Sequence, residues 1–221
     1  KIQKYMADFD ISDDTLIKVA EKAFRNGSLN PTAWRKKPLS YEEIKNSPML
    51  SHPLRKYQFC SPAEGGAAIV MCKSEIAKKF TSKPLYLKAA VVRTRRYGSF
   101  EVFTKGQAID QAASPTVDAS KAAYEMAGVA PKDIDVAQLQ DTEVGAEIMH
   151  MSENGLCKDG DQEKMIQTGV TEINGDLPVN TDGGCIANGE PIGASGLRQV
   201  HEICVQLRGE GNNRQVPGKI K

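Results

Sequence analysis

From Phe59 onward, short apolar runs of strand length alternate with segments whose apolar residues recur at helical spacing. "GAAIVMC" (66–72), "LYLKAAVVRTRRY" (85–97), "IDVAQL" (134–139) and "LPVN" (177–180) read as strands, the second with Leu85, Leu87, Ala89 and Val91 on one side. Between and after them, "SEIAKKF", the stripe Ala119, Ala122, Ala123 and Met126 behind a capping Asp118, "EVGAEIMHMSENG", and Val200, Ile203, Cys204 and Leu207 at i, i+3, i+4 and i+7 read as helices. Strands separated by helices predict an α/β fold, a mostly parallel sheet covered on both faces. Ligands in such folds bind beyond the carboxyl ends of strands. Both "QDTE" (140–143) and "NTDGGCIANGEP" (180–191) follow predicted strands, so topology nominates them.

The first 58 residues have a different character. Asp13 or Asp14 can cap a helix whose face is Leu16, Val19, Ala20, Ala23 and Phe24, ended by "NGS". Residues 30–58 are proline-rich with little periodicity, apart from a short helix that Ser40 and Glu43 can start as a capping box. A loop region of this length is usually functional or a lid.

Composition removes several classes of function. A net charge of +1 gives no global field for nucleic acid or an anionic membrane. No apolar run approaches the roughly 20 residues of a membrane helix, so a cytoplasmic protein is expected. The five cysteines are widely spaced without a CxxC pair, which predicts reduced thiols and no metal site. His52, His150 and His201 show no ligand-like spacing.

The candidate chemistry sits in two places. Gly183, Gly184, Gly189 and Gly193 supply a tight strand-to-helix turn, with Pro191 or Ser195 starting the helix; the other reading is free N–H groups facing a ligand or a developing oxyanion. Glu190 within that turn suits a base beside such amides better than a resting anion. Gln140, Asp141 and Glu143 read either as helix caps or as polar partners of that base. "WRKK" (Trp34 to Lys37) and "RTRR" read as solvated charge or as phosphate contacts, and Trp34 as packing or an adenine shelf.

"CSPAEGGAAIVM" (60–71), "IDVAQLQD" (134–141) and the long block from Asn180 to Gly218 resemble the C-terminal half of the thiolase superfamily, nearest its sterol-carrier or lipid-transfer-protein branch. The resemblance implies a layered αβαβα fold, of which residues 59–221 supply the C-terminal αβ domain with a mixed five-stranded sheet covered by helices. It makes residues 1–58 the end of the loop domain that covers coenzyme A. The N-terminal half and the final C-terminal loop are then expected to lie outside this sequence.

Two departures from the family pattern stand out. Where these thiolases carry histidine in G-H-P, this sequence has Glu190 in "GEP"; where they carry H-D-C-F or N-E-A-F, it has "QDTE". A carboxylate raises the pKa of a neighbouring thiol, so it hinders thiolate chemistry yet serves as a general base. The pattern is similar to the lipid-transfer-protein aldolases of steroid side-chain degradation, which implies retro-aldol cleavage of a β-hydroxyacyl-CoA to a ketone and propionyl-CoA. Glu190 is the expected base, with Asp141, Glu143 and Gln140 beside it. Gly189, Gly193, Ser195, Trp34 and Arg35 are the candidates for holding coenzyme A, which enters as part of the substrate with no covalent cofactor and no metal. A homodimer and a small OB-fold, zinc-ribbon acyl-CoA-associated partner are also implied. The alternatives are a 3-ketoacyl-CoA thiolase acting as acyltransferase and a non-catalytic acyl-CoA-binding subunit.

Overall fold

The computed structural model describes residues 1–94, 114–218 and 220. Its helices are α1 (Ile2–Phe9), α2 (Asp13–Ser28), α3 (Tyr41–Lys45), α4 (Ser74–Ala77), α5 (Pro115–Ala127), α6 (Val144–Glu153), α7 (Asp161–Gln167), α8 (Gly184–Asn188) and α9 (Ser195–Arg208). A two-stranded antiparallel hairpin, β1 (Met49–Ser51) and β2 (Leu54–Arg55), sits in the proline-rich region.

Helix α2 is the axis of the core. Ser12 caps it by accepting the Thr15 N–H at 3.2 Å, while Asp13 and Asp14 occupy its first turn, where the helix dipole favours acid. Leu16, Ile17, Val19, Ala20, Ala23 and Phe24 pack into one cluster with Val144 and Ile148 of α6, Ile166 of α7 and Ile186 of α8. The core therefore runs across residue 58 without a break. The Ser40–Glu43 capping box forms as the sequence predicts.

Helix α5 starts one turn earlier than expected: Ser114, not Asp118, is its cap, and Gly128 ends it in the left-handed region at φ 69°. The predicted strand segments 134–139 and 177–180 lie parallel, joined by one bridge between Ala137 and Val179. Around it Ala137, Leu139, Met151 and Val179 form a second apolar cluster. The five-stranded sheet is not laddered among the described residues. Segment 66–72 and the described part of 85–97 are not hydrogen-bonded as strands, and their apolar side chains face solvent: Val70 is 98% exposed, Val92 85% and Leu87 68%. The reason is pairing. A ladder needs a second backbone in register, and among the described residues none is paired with these runs.

Helix α9 also departs from its sequence pattern. The apolar stripe that includes Val200 is half-buried or exposed, whereas Glu202 and Gln206 are buried. Glu202 accepts three hydrogen bonds from the Arg214 guanidinium at 3.1–3.2 Å and one from Thr181 at 2.8 Å. A charged pair that satisfies its lone pairs this fully can be buried, and helical periodicity does not reveal it.

A second buried pair ties α2 to α6. Lys22 Nζ meets Glu147 Oε1 at 2.5 Å, and Glu147 Oε2 accepts the Asn180 side-chain amide at 2.8 Å. Both side chains are almost fully out of solvent. Removing one partner leaves an uncompensated buried charge, so Lys22→Met is expected to lower stability by about 3–5 kcal/mol in urea unfolding. Adding Glu147→Gln should return part of that loss, because no charge is then left unpaired.

Candidate active site

The turn that carries Glu190 is held from below by Asp141. After Asn180, at φ 54°, the chain reverses through Gly183 and Gly184 into the short helix α8. Asp141 Oδ1 accepts the Cys185 N–H at 2.6 Å and Oδ2 the Ile186 N–H at 3.4 Å, satisfying amides at the start of α8. A Cβ at Gly184 would run into that carboxylate. Asp141 is fully buried, and burial, followed by the charge of Glu147, pushes its carboxyl up to about 8. The Cys185 amide and Arg198 oppose the rise.

Past α8 the chain meets residues 60–62. Gly189, at φ 75°, lies where a Cβ would strike Ala63, and Glu190 then pairs in parallel with Pro62, its N–H donating to Ser61 O at 2.9 Å. The Glu190 side chain thereby enters a polar cluster. Oε1 accepts the Gln140 side-chain amide at 2.7 Å, Gln140 Oε1 accepts the Gln199 amide at 3.0 Å, and the Cys60 thiol donates to Glu190 Oε2 at 3.7 Å. Burial, then Glu190 itself, pushes the Cys60 thiol up to about 11. Cys60 is thus a neutral donor beside the carboxylate, not a thiolate.

Of the expected site residues, the fold brings Glu190 and Gln140 together. Asp141 and Glu143 serve as anchors of helix starts. Glu143 caps α6, with Oε2 accepting the Gly145 N–H at 2.6 Å; burial, the largest influence on its carboxyl, raises it. Arg35 turns inward as a clip: its guanidinium donates to Ile186 O at 2.9 Å, to Phe59 O at 3.1 Å and to Ser61 Oγ, and lies 5.4 Å from the Phe24 ring centre. Trp34 is exposed. Gly193 has open space around it, and Ser195 is buried at the start of α9 with no hydrogen-bond partner for its hydroxyl.

Sequence reasoning missed Cys60 and Gln199. Neither has a local signal, because both are defined by where α9 and residues 60–62 meet the turn. Among the described residues no group of His, Cys, Asp and Glu is arranged to hold a metal ion, and no helix is long and apolar enough to cross a membrane. An open cleft of about 680 Å³ between α5 and the end of α6, lined by Val117, Tyr124, Val129 and Asn154, contains none of the Glu190 cluster.

A family model described as "Thiolase C-terminal domain-like" matches residues 102–220, more than half of the chain. The chain belongs to the thiolase superfamily. An acetyl-CoA acetyltransferase of Methanothermobacter thermautotrophicus is 33% identical over 98% of this chain and 55% of its own length. Sterol carrier protein 2 of Oryctolagus cuniculus is 31% identical over 98% of this chain and 40% of its own length. This thiolase-type chain thus spans about half the length of the curated relatives it matches. The solved structure of an "Ltp2-ChsH2(DUF35) aldolase" superposes with a TM-score of 0.81, covering all of this chain and 56% of that one at 22% identity. That likeness shows the fold. The backbone thus follows the thiolase α/β course, although segments 66–72 and 85–94 join no ladder among the described residues.

The raised carboxyl of Asp141 has a stability signature. Its folded value, about 8, lies above its ordinary 3.8, so the native state holds a proton that the unfolded chain has released at intermediate pH. The stability associated with that proton is complete below about pH 4 and is lost as pH rises through about 8. Asp141→Asn, which keeps an acceptor for the Cys185 amide, is expected to gain stability relative to the wild type steadily between pH 5 and 8 and to level off above. Thermal melts across that range measure it; a constant difference between the two proteins would contradict the assignment.

Proposed function

We propose that the protein uses Glu190 as a general base in retro-aldol cleavage of a β-hydroxyacyl-CoA, giving a ketone and a shorter acyl-CoA, with propionyl-CoA as the expected product. The observation that carries this reading is the composition of the cluster: a carboxylate held by an amide and a neutral thiol, with no imidazole hydrogen-bonded to it among the described residues. His150 is paired with Glu153 at 2.7 Å, and His52 and His201 are exposed. A carboxylate base fits a reaction without a covalent intermediate. It fits poorly the activation of a thiolate, which like charge disfavours.

In the proposed step, Glu190 takes the proton of the β-hydroxyl. The oxygen's electron pair forms the ketone C=O, the Cα–Cβ bond breaks, and its electrons pass to Cα and the thioester oxygen. The proton then returns to Cα, so the site ends as it began. Amide donors stabilise the thioester enolate in such chemistry. The free hydroxyl of Ser195 and the backbone around Gly189 and Gly193 are the groups we assign to the acyl-CoA side, together with exposed Trp34. The inward Arg35 acts by clipping residues 59–61 to α8. Asp141 and Glu143 act through the segments they anchor.

The same reading extends to the assembly. Residues 1–58 are taken as the end of a coenzyme A-covering loop domain and residues 59–221 as the C-terminal αβ domain of a longer, dimeric, cytoplasmic enzyme. The Ltp2-ChsH2(DUF35) aldolase is named for two components, which supports a partner protein here, and we take that partner to be a small OB-fold, zinc-ribbon protein. The second reading is an acyltransferase, favoured by the acetyl-CoA acetyltransferase among the relatives.

Assay of the full-length protein, with any partner that co-purifies, separates the readings. One substrate is a tertiary β-hydroxyacyl-CoA and the other a 3-ketoacyl-CoA with free coenzyme A. Cleavage of the first is expected; turnover of the second alone would sink the lyase. Glu190→Gln keeps the shape and removes the base, so kcat for cleavage should fall about 10²- to 10⁴-fold with little change in KM.

A further inference from the structure

Glu190 as base rests on the proposed lyase function, and the fold adds a residue that determines how that base is held. We infer that Gln199, on the second turn of α9, is a positioning residue: it holds the Gln140 amide in the orientation that donates to Glu190 Oε1 and so leaves Glu190 Oε2 as the atom that receives the proton.

A primary amide has a carbonyl on one side and an NH₂ on the other, and a half-turn exchanges them. Glu190, which only accepts, requires the Gln140 NH₂ on its side, and the donor at Gln199 holds the Gln140 carbonyl on the other. On one side its Nε2 donates to Glu190 Oε1 at 2.7 Å; on the other its Oε1 accepts from Gln199 Nε2 at 3.0 Å. A residue at position 199 that could only accept would face the Gln140 carbonyl, and Gln140 would then have to turn over or move, weakening its bond to Glu190 Oε1. Both ends of the relay are anchored in buried structure. Residue 139, next to Gln140, is held by the Asn180 side chain at 2.8 Å, and α9 is seated through Glu202 on Arg214 and Thr181.

The two oxygens of Glu190 are therefore unequal. Oε1 is committed to a strong, short hydrogen bond, whereas Oε2 meets the Cys60 thiol at 3.7 Å, and a thiol is a weak donor. A substrate hydroxyl can displace that thiol from Oε2. The proton moves from the hydroxyl to Oε2 and later from Oε2 to Cα, so no co-reactant enters.

The test sets donor against acceptor at one place in the full-length protein. Gln199→Lys keeps a donor toward Gln140, and Gln199→Glu, nearly isosteric, presents an acceptor at neutral pH. Misplacing a catalytic group costs rate, so Gln199→Glu should lower kcat about 10- to 100-fold at nearly constant KM, while Gln199→Lys stays within about threefold. The Gln199→Glu protein should recover relative to the wild type as pH falls towards about 5, when its new carboxyl is protonated and donates.

Exchange of the Cα hydrogens of propionyl-CoA in D₂O is followed in parallel, because it reports a placed base whatever the overall reaction. The order wild type, then Gln199→Lys, well above Gln199→Glu, in both measurements supports the relay. The same order in exchange without any cleavage by the wild type keeps the relay and removes the lyase reading. Equal losses in the two variants, or no recovery at low pH, would overturn the relay, and so would a wild type that catalyses neither cleavage nor exchange.

Discussion

The carboxyl group of Asp141 joins the two halves of the site. It reaches from the end of one extended segment to the first amides of α8, 44 and 45 residues later in the chain. The turn bearing Glu190 begins where α8 ends, so its height above Gln140 follows from that contact. A carboxylate buried among other acids is costly. Here the helix amides and Arg198 offset part of the cost, and Gly184 provides the space that any side chain would fill.

Much of the interior around the site is polar. Lys22 with Glu147, Arg214 with Glu202, and Arg198 with Asp182 are ion pairs whose side chains are largely or wholly out of solvent. Buried pairs of this kind add little net stability, yet breaking one is expensive, and they hold elements in a single register. Glu202 shows what register does for the site. By fixing α9 against Thr181 and Arg214, it places Gln199 on Gln140. The apolar surface is distributed differently, with Val70, Leu87 and Val92 exposed on segments that read as strands.

The helices were legible wherever a cap and an apolar period agreed. Ser40 with Glu43, the stripe on α2 and Gly128 behind α5 are examples, because these signals act within one or two turns of chain. Helix α9 was legible in extent but not in facing, since its buried side is carried by Glu202 and Gln206, whose partners come from elsewhere. Of the apolar runs that read as strands, 134–139 and 177–180 meet in a single bridge, and the described parts of the other two join no ladder. Pairing was not legible, because a hydrogen-bonded pair depends on a second backbone that the run itself does not contain.

For the site, the sequence by itself determined that a carboxylate stands in a glycine-rich turn after a strand, with Gln140 after another, and the thiolase pattern made these two segments neighbours. Tertiary structure alone decided which polar residues meet. It drew Gln140 to Glu190 and turned Asp141 and Glu143 to helix starts, and it brought in Cys60 and Gln199, which no local pattern marks. The physical reason is the range of the interactions. Capping and periodicity are written within a few residues, whereas a hydrogen bond between side chains 50 or 130 residues apart in sequence exists only once the backbone has closed around it.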